Sequence, residues 1–373
     1  MFIKFGYLRR DENRPAGRYS GCKSTDQPVD LPAPATSTTM THRMSRFTLA
    51  LPMLLAACTG SSDPPPEDAP SDVIEQFEPP DCEPSELCLD PPASGFQIRS
   101  DGTLIQPGED VEYCEVVALP GTPDDTYYVR AFESQMTEGS HHLIIAGIVP
   151  ESDTDHHAEV GDRVPCTGPD VFGGELVPVT GSQKPYEGEA FPPGVGRVFT
   201  GGQKVVFDYH YFNTTPEPIQ ARAAVNFHTT TADKVTKLSQ SFGFYNLGIE
   251  IPPGAAKAFT AECFFDGDVY VHSLTRHTHQ WGTEFNTWFA GGPRDGELVF
   301  SSPDYETVSF PFEEPTLVRG GEGFRFECAF ENNETYTLKF GLKASDEMCI
   351  LFGSWYEAME GQNLGNQSCF VFD

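Results

Sequence analysis

The sequence holds no CxxC pair among its ten cysteines, and only 24 lysines and arginines against 55 acidic residues. The first absence argues against a zinc ribbon or a thioredoxin-type site. The second gives a formal net charge of -31 and argues against nucleic acid as a partner. Beyond that, an acidic surface often serves only solubility. No long run has helical periodicity, and no apolar run is long enough to span a bilayer as a helix.

What is present points to strands. Glycine (35) and proline (32) make up about 18% of the chain, against a usual ~12%. Short apolar or alternating runs, rich in the 29 phenylalanines, recur between them. The expected fold class is all-β. A chain of 373 residues is long enough for two domains with real cores. The widely scattered cysteines fit structural disulfides in an oxidising compartment.

Met44 to Cys58 comprises a short positive region, an apolar core and Leu55-Ala56-Ala57-Cys58. This stretch resembles a bacterial lipoprotein signal with its lipobox. Cys58 is then the expected lipidation site, and the chain an exported protein anchored at the bacterial cell envelope. Thr59 after it is compatible with an outer membrane. A signal should start a chain, so residues 1–43 are read as a start-site artefact, with translation beginning at Met44 or Met40. Cys22 would then be missing from the mature protein. Residues 59–95, rich in proline and carboxylates, read as an extended or disordered tether, within which Cys82 and Cys88 are expected to pair locally.

The folded part is expected from about Gly95. Strands are predicted near 111–118, 126–133, 141–149, 203–212 and 221–230. A polar stretch at 231–240 marks a boundary, dividing an N-terminal domain (96–232) from a C-terminal one (233–373). In the second, strands are predicted near 255–265, 268–275, 283–290, 296–302, 323–330, 335–340 and 349–356.

The chemistry lies in histidines. His277 and His279 stand at i and i+2 in an extended stretch, so both rings point to one face, about 7 Å apart at the backbone. Alone, such a pair is weak evidence. His141, His142, His210 and Met348 add to it, giving three nitrogens in the first domain and two nitrogens and a sulfur in the second. A thioether is a poor ligand for Zn²⁺ and a good one for Cu(I), so copper is the consistent metal. His141 and His142 cannot both reach one ion from an unbroken strand, because neighbours face opposite ways. A bulge, a strand end, or binding through different ring nitrogens is required, and Gly139-Ser140 offers the loosening. His228 and His272 read as structural, and His156 and His157 as exposed loop residues.

At these residues the sequence resembles the copper type II, ascorbate-dependent monooxygenases, the family of peptidylglycine α-hydroxylating and dopamine β-monooxygenases. The resemblance rests on an ordered set over roughly 95–373: His141-His142 to Gly147, Phe191 to Gly196, Gly201-Gly202, Tyr209-His210-Tyr211, Ile251-Pro252-Pro253-Gly254, His277-Thr278-His279 and Asp346-Glu347-Met348-Cys349. It implies two tandem antiparallel β-sandwich domains of jelly-roll type, each with one copper site, facing across a solvent-filled cleft. His141, His142 and His210 would hold the electron-transfer copper; His277, His279 and Met348 would hold the catalytic one. Dioxygen, a small organic substrate and a reductant such as ascorbate would be the reactants, and one oxygen atom would enter a substrate C–H bond. The resemblance also implies disulfides Cys114–Cys166, Cys263–Cys369 and Cys328–Cys349.

The sequence departs from the peptide-amidating branch around the second site. Arg276 adjoins His277 one place nearer than that branch has it. Ile350 and Phe352 replace residues that grip a substrate carboxylate. These three are the candidate substrate contacts, and they favour an apolar or aromatic small molecule over a peptidylglycine. Asp208, two before His210, replaces a glutamine. A copper-binding lipoprotein without turnover is the alternative reading, and a zinc hydrolase is disfavoured by Met348.

Overall fold

Alternation along Lys204–Phe212 shows how the chain builds its layers. Val205, Phe207, Tyr209 and Tyr211 face one way and are fully buried in a single apolar cluster. Val206, Asp208 and His210 face the other way, as the period of two requires. The computed structural model describes residues 77–372 except 101, 151–157, 165, 167–173, 304–308, 342, 344 and 366. The expected signal, Cys58, and the loop pair His156 and His157 lie outside those residues. Among the described residues all regular structure is strand apart from two short 3₁₀ turns, Ala232–Lys234 and Gly292–Arg294. The fold class is all-β. No helix among them is long and apolar enough to cross a membrane.

Lys204–Phe212 is the middle strand of a five-stranded sheet. Asp110–Ala118 and then Arg163–Val164 lie to one side, Ser140–Pro150 and then Gly174–Ser182 to the other. Every pairing in it is antiparallel. A six-stranded sheet stands with it, centred on Thr126–Met136 and Ala223–Thr230. Phe132, Val129 and Phe227 of that sheet share one buried cluster with Leu143, Ile145 and Phe207 of the first.

The second half repeats the plan. One sheet runs Ser309–Val318, Val269–His277, Ile350–Glu357, Gln240–Asn246, Gln367–Val371. The other runs Ala256–Phe264, Gly323–Glu331, Gly282–Ala290, Leu298–Ser302. Their facing phenylalanines, including Phe242, Phe244, Phe285, Phe324 and Phe326, form one core with Trp355. Two pairings depart from the antiparallel rule: Lys237–Leu238 on Val195–Thr200, and Gln367–Val371 on Gln240–Asn246. No sheet mixes strands from before Ser239 with strands after it.

Four disulfides pin these layers: Cys82–Cys88, Cys114–Cys166, Cys263–Cys369 and Cys328–Cys349. The last part of the expected tether is docked rather than free. Gln135 Oε1 accepts the backbone N–H groups of Cys88 (2.8 Å) and Leu89 (2.7 Å). Leu89 is buried, and Pro84 accepts from Glu138. Composition marks this stretch as proline-rich and acidic, but one buried leucine and three backbone hydrogen bonds suffice to hold it.

His272 is structural, for a reason simple alternation does not supply. The pairing register passes from Val271↔Trp355 to Ser273↔Ser354, so His272 is the extra residue of a bulge. It is 3% exposed, and its Nε2 lies 2.9 Å from Ser239 Oγ. Burial, with help from the Arg197 charge, holds its ring down to about 3. The folded value lies below the unfolded one near 6.5, so its contribution is complete above pH 6.5 and is lost as pH falls toward 3. We expect His272→Gln to flatten the acid limb of metal-free stability by about 1.4 kcal/mol per pH unit below pH 6. Urea unfolding at pH 7, 6, 5 and 4.5 measures this; parallel slopes for variant and parent would refute it.

Candidate metal centre

The bulge that the His141-His142 pair demands is present. His210 pairs with His142, and the next residue, Tyr211, pairs with Ser140. His141 is therefore the unpaired extra residue, which frees its ring from strict alternation. Gly139 precedes it at φ +81°, a conformation that favours glycine. As a result the nitrogens of His141, His142 and His210 come within 4.8 Å of one another.

The second set is built by a loop-to-loop clasp. Glu347 is fully buried. Its Oε2 accepts the N–H groups of His279 (3.0 Å) and Met348 (3.1 Å), and its Oε1 accepts that of Trp281 (2.9 Å). Burial pushes this carboxyl up to about 7 against those three bonds. One side chain thus fastens the segment carrying Met348 to the turn carrying His279. Met348 is itself buried, and the Cys328–Cys349 disulfide anchors its neighbour.

Each of three rings has one nitrogen held by an acceptor, which sets its tautomer and leaves the other free. His210 Nε2 donates to Asp110 Oδ1 at 2.5 Å. His277 Nδ1 donates to Gln183 Oε1 at 3.0 Å, and His279 Nδ1 donates to the Asp346 carbonyl at 2.9 Å. The bond to His210 holds the Asp110 carboxyl below its usual range. His210 Nδ1, His279 Nε2, His141 Nε2 and both nitrogens of His142 are buried without a hydrogen-bond partner. Buried polar atoms are rarely left so, and the convergence of His141, His142 and His210 within 4.8 Å fits a metal. Burial, followed by neighbouring rings, lowers His141 to about 3 and sets His142 and His277 well below the usual range. His279 falls to about 4, mainly through burial. All are neutral near pH 7, the form that ligates.

The two sets meet. His141 and His279 have ring centroids 5.2 Å apart, and His142 and His277 5.9 Å apart. This corrects the expectation of a solvent-filled cleft between the metal sets. The rings are in contact because polar bonds cross from one half to the other. Gln183 reaches His277, Ser273 Oγ donates to Glu189 at 3.0 Å, and Ser309 Oγ donates to Glu187 at 2.7 Å. Arg197 Nη2 donates to Ser241 Oγ (2.8 Å) and Ser354 Oγ (3.1 Å). A cavity of about 100 Å³ opens beside the cluster instead, with His142, His277, Phe352, Thr275, Leu143 and Glu187 among its lining residues.

The predicted substrate contacts divide. Phe352 lines that cavity, its ring 6.5 Å from that of His277. Ile350 pairs with His277 across the sheet and is buried. Arg276 points to the opposite strand face from His277, is 1% exposed, and donates to Thr278 Oγ1 at 3.1 Å. His228 bonds Glu133 and packs on Phe77, away from the metal sets. Sequence reasoning missed Asp110, Glu112, Gln183 and Glu347. A signal existed for two: Asp110 and Glu112 alternate on the strand that pairs with His210.

The fold and the site thus define an all-β protein with five convergent histidines and a buried methionine. Residues 245–371 match the family model described as copper type II ascorbate-dependent monooxygenase, C-terminal domain. That stretch holds His277, His279 and Met348, and the family it matches depends on copper and ascorbate.

Among solved structures the chain is similar to the STIV MCP, at 8% identity over 70% of this chain and 96% of that one, with a TM-score of 0.29. It is similar to the major capsid protein P2 from bacteriophage PM2, at 8% identity over 71% and 99%, with a TM-score of 0.30. For PNGF-II the values are 10%, 79% and 66%, with a TM-score of 0.27. Scores this low carry no argument.

Proposed function

We propose that the protein is a monooxygenase that hydroxylates a C–H bond of a small organic substrate, using dioxygen and an external reductant such as ascorbate. The observation that carries this is the set of buried, unpartnered nitrogens on His141, His142, His210 and His279, with Glu347 clasping the His279 turn to the Met348 segment. His141, His142 and His210 would hold one copper; His277, His279 and Met348 would hold the second. Copper supplies one-electron chemistry and dioxygen activation when bound. The protein's own part is to fix the ring tautomers through Asp110, Gln183 and the Asp346 carbonyl, and to exclude water by burying the cluster. Phe352, Leu143 and Thr275 offer an apolar wall to the substrate beside His277. Export and lipid anchoring at Cys58 complete the reading.

The reading is tested by metal and product together. The purified chain should retain two coppers. With ascorbate and ¹⁸O₂ it should insert one labelled oxygen into a member of a panel of amines, phenols and peptides. A single copper per chain, or hydroxylation that ignores the copper load, would overturn it. Metabolic labelling with palmitate in a bacterial host should mark the parent and not Cys58→Ser.

A further inference from the structure

The face of the first sheet that carries His142 and His210 also carries two carboxylates. Glu112 stands directly opposite His210, and Asp208 lies two residues before it on the same strand. Ligand atoms of Glu112, His142 and Asp208 lie within 4.8 Å of one another. His142 Nε2 is 3.9 Å from Asp208 Oδ1, too far for a hydrogen bond. The His142 side chain is only 5% exposed, and neither of its ring nitrogens has a partner. A ring with two free nitrogens can serve two groups, one on each side. The three-histidine group needs only one of them.

We propose that Glu112, Asp208 and His142 form a further divalent-cation site that shares the His142 ring with the three-histidine site, the ring releasing its N–H proton to solvent when ions bind both nitrogens. Two carboxylate oxygens and one imidazole nitrogen are the donor set of Zn²⁺ or Mn²⁺ rather than of Cu(I), which prefers softer ligands. The geometry has the features such a site needs. The three donors converge from adjacent strands, Asp110–Ala118, Lys204–Phe212 and Ser140–Pro150, so a rigid sheet spaces them. The Asp208 side chain is 17% exposed, which leaves an entry path for the ion. The Cys114–Cys166 disulfide lies beside it, with Cys166 Sγ 3.4 Å from Asp208 Oδ1, and fixes the neighbouring backbone. Only the shared ring rests on the copper reading; the cation site stands without it.

The test uses the full chain loaded anaerobically with Cu(I) in ascorbate, then exposed to Zn²⁺ and desalted. The parent should keep one zinc per chain beside its copper. Glu112→Gln combined with Asp208→Asn should lose that zinc and keep the same copper. X-ray absorption at the zinc edge of the parent, which needs no variant, should show one imidazole with oxygen neighbours. Absence of retained zinc in the parent would overturn the proposal. Zinc equally retained by the double variant, or an edge spectrum with three imidazoles or with oxygens alone, would also overturn it. Copper missing from the parent while zinc still depends on Glu112 and Asp208 would defeat the copper reading and leave this site intact.

Discussion

Met348→Ile will abolish substrate-stimulated oxygen uptake while leaving the first copper in place. The two side chains are close in volume, and such swaps in a core usually cost less than about 1.5 kcal/mol, so the variant folds. On the proposed ligand set, what it removes is the soft sulfur donor of the second site. Loss of outer partners alone lowers metal affinity or activity by about 10–100-fold, so loss of a direct ligand should exceed about 100-fold. Glu347→Gln provides the graded companion. A glutamine can accept through one oxygen only, and its NH₂ would face a backbone N–H where the carboxylate accepted at both ends. The clasp between His279, Trp281 and Met348 would loosen, and second-site copper affinity should fall about 10–100-fold. Copper counting with a competing chelator, beside oxygen uptake, checks both. A Met348→Ile protein that keeps its uptake, or that loses both coppers together, would remove Met348 from the second site.

How much of this was legible in the sequence follows from which interactions are local. Alternation along Lys204–Phe212 is a property of the strand itself, and it placed Val205, Phe207, Tyr209 and Tyr211 in the core. The demand for a bulge at His141-His142 followed from strand geometry alone, and the register change beside Tyr211 meets it. Gly174–Ser182 and Ser309–Val318 were not predicted as strands, because proline and glycine interrupt their pattern and one edge of each is unpaired. His272 looked structural through face parity, yet a bulge at that very residue changes the parity, and packing against Phe191 keeps it from the metal. The ring contact between the two histidine sets was not legible at all. It depends on Gln183, Glu189, Arg197 and Ser309 meeting partners far along the chain, and none belongs to a motif. Asp208 stood out in the sequence only as the replacement of a glutamine, and Glu112 only by alternation; their nearness is a matter of register between two strands far apart in the chain.

Arg197 carries the largest share of that meeting, and its removal should be the most destabilising single change. It is 7% exposed, its Nη1 donates to the Val179 carbonyl, and its Nη2 reaches Ser241 and Ser354 in the second half. Burial lowers its pKa to about 10, still well above neutrality, so it is charged. The Glu189 carboxylate acts on it as an opposite charge; burial raises that carboxyl and Arg197 draws it back down. Arg197→Met keeps an unbranched apolar stem but leaves Glu189 without its cation and three acceptors without a donor. Breaking a buried pair from one side typically costs about 3–5 kcal/mol, and urea unfolding of the metal-free chain should register that loss. Replacing both partners, Arg197→Met with Glu189→Gln, removes the stranded charge and should recover most of it. Recovery separates the electrostatic account from loss of hydrogen bonds, since a double variant as unstable as the single one would show that the arginine acts through its bonds to Val179, Ser241 and Ser354. Because Ser241 and Ser354 line the same cavity as His277, the single variant should also weaken oxygen uptake by the copper-loaded chain, and the double variant should restore it only as far as it restores the fold.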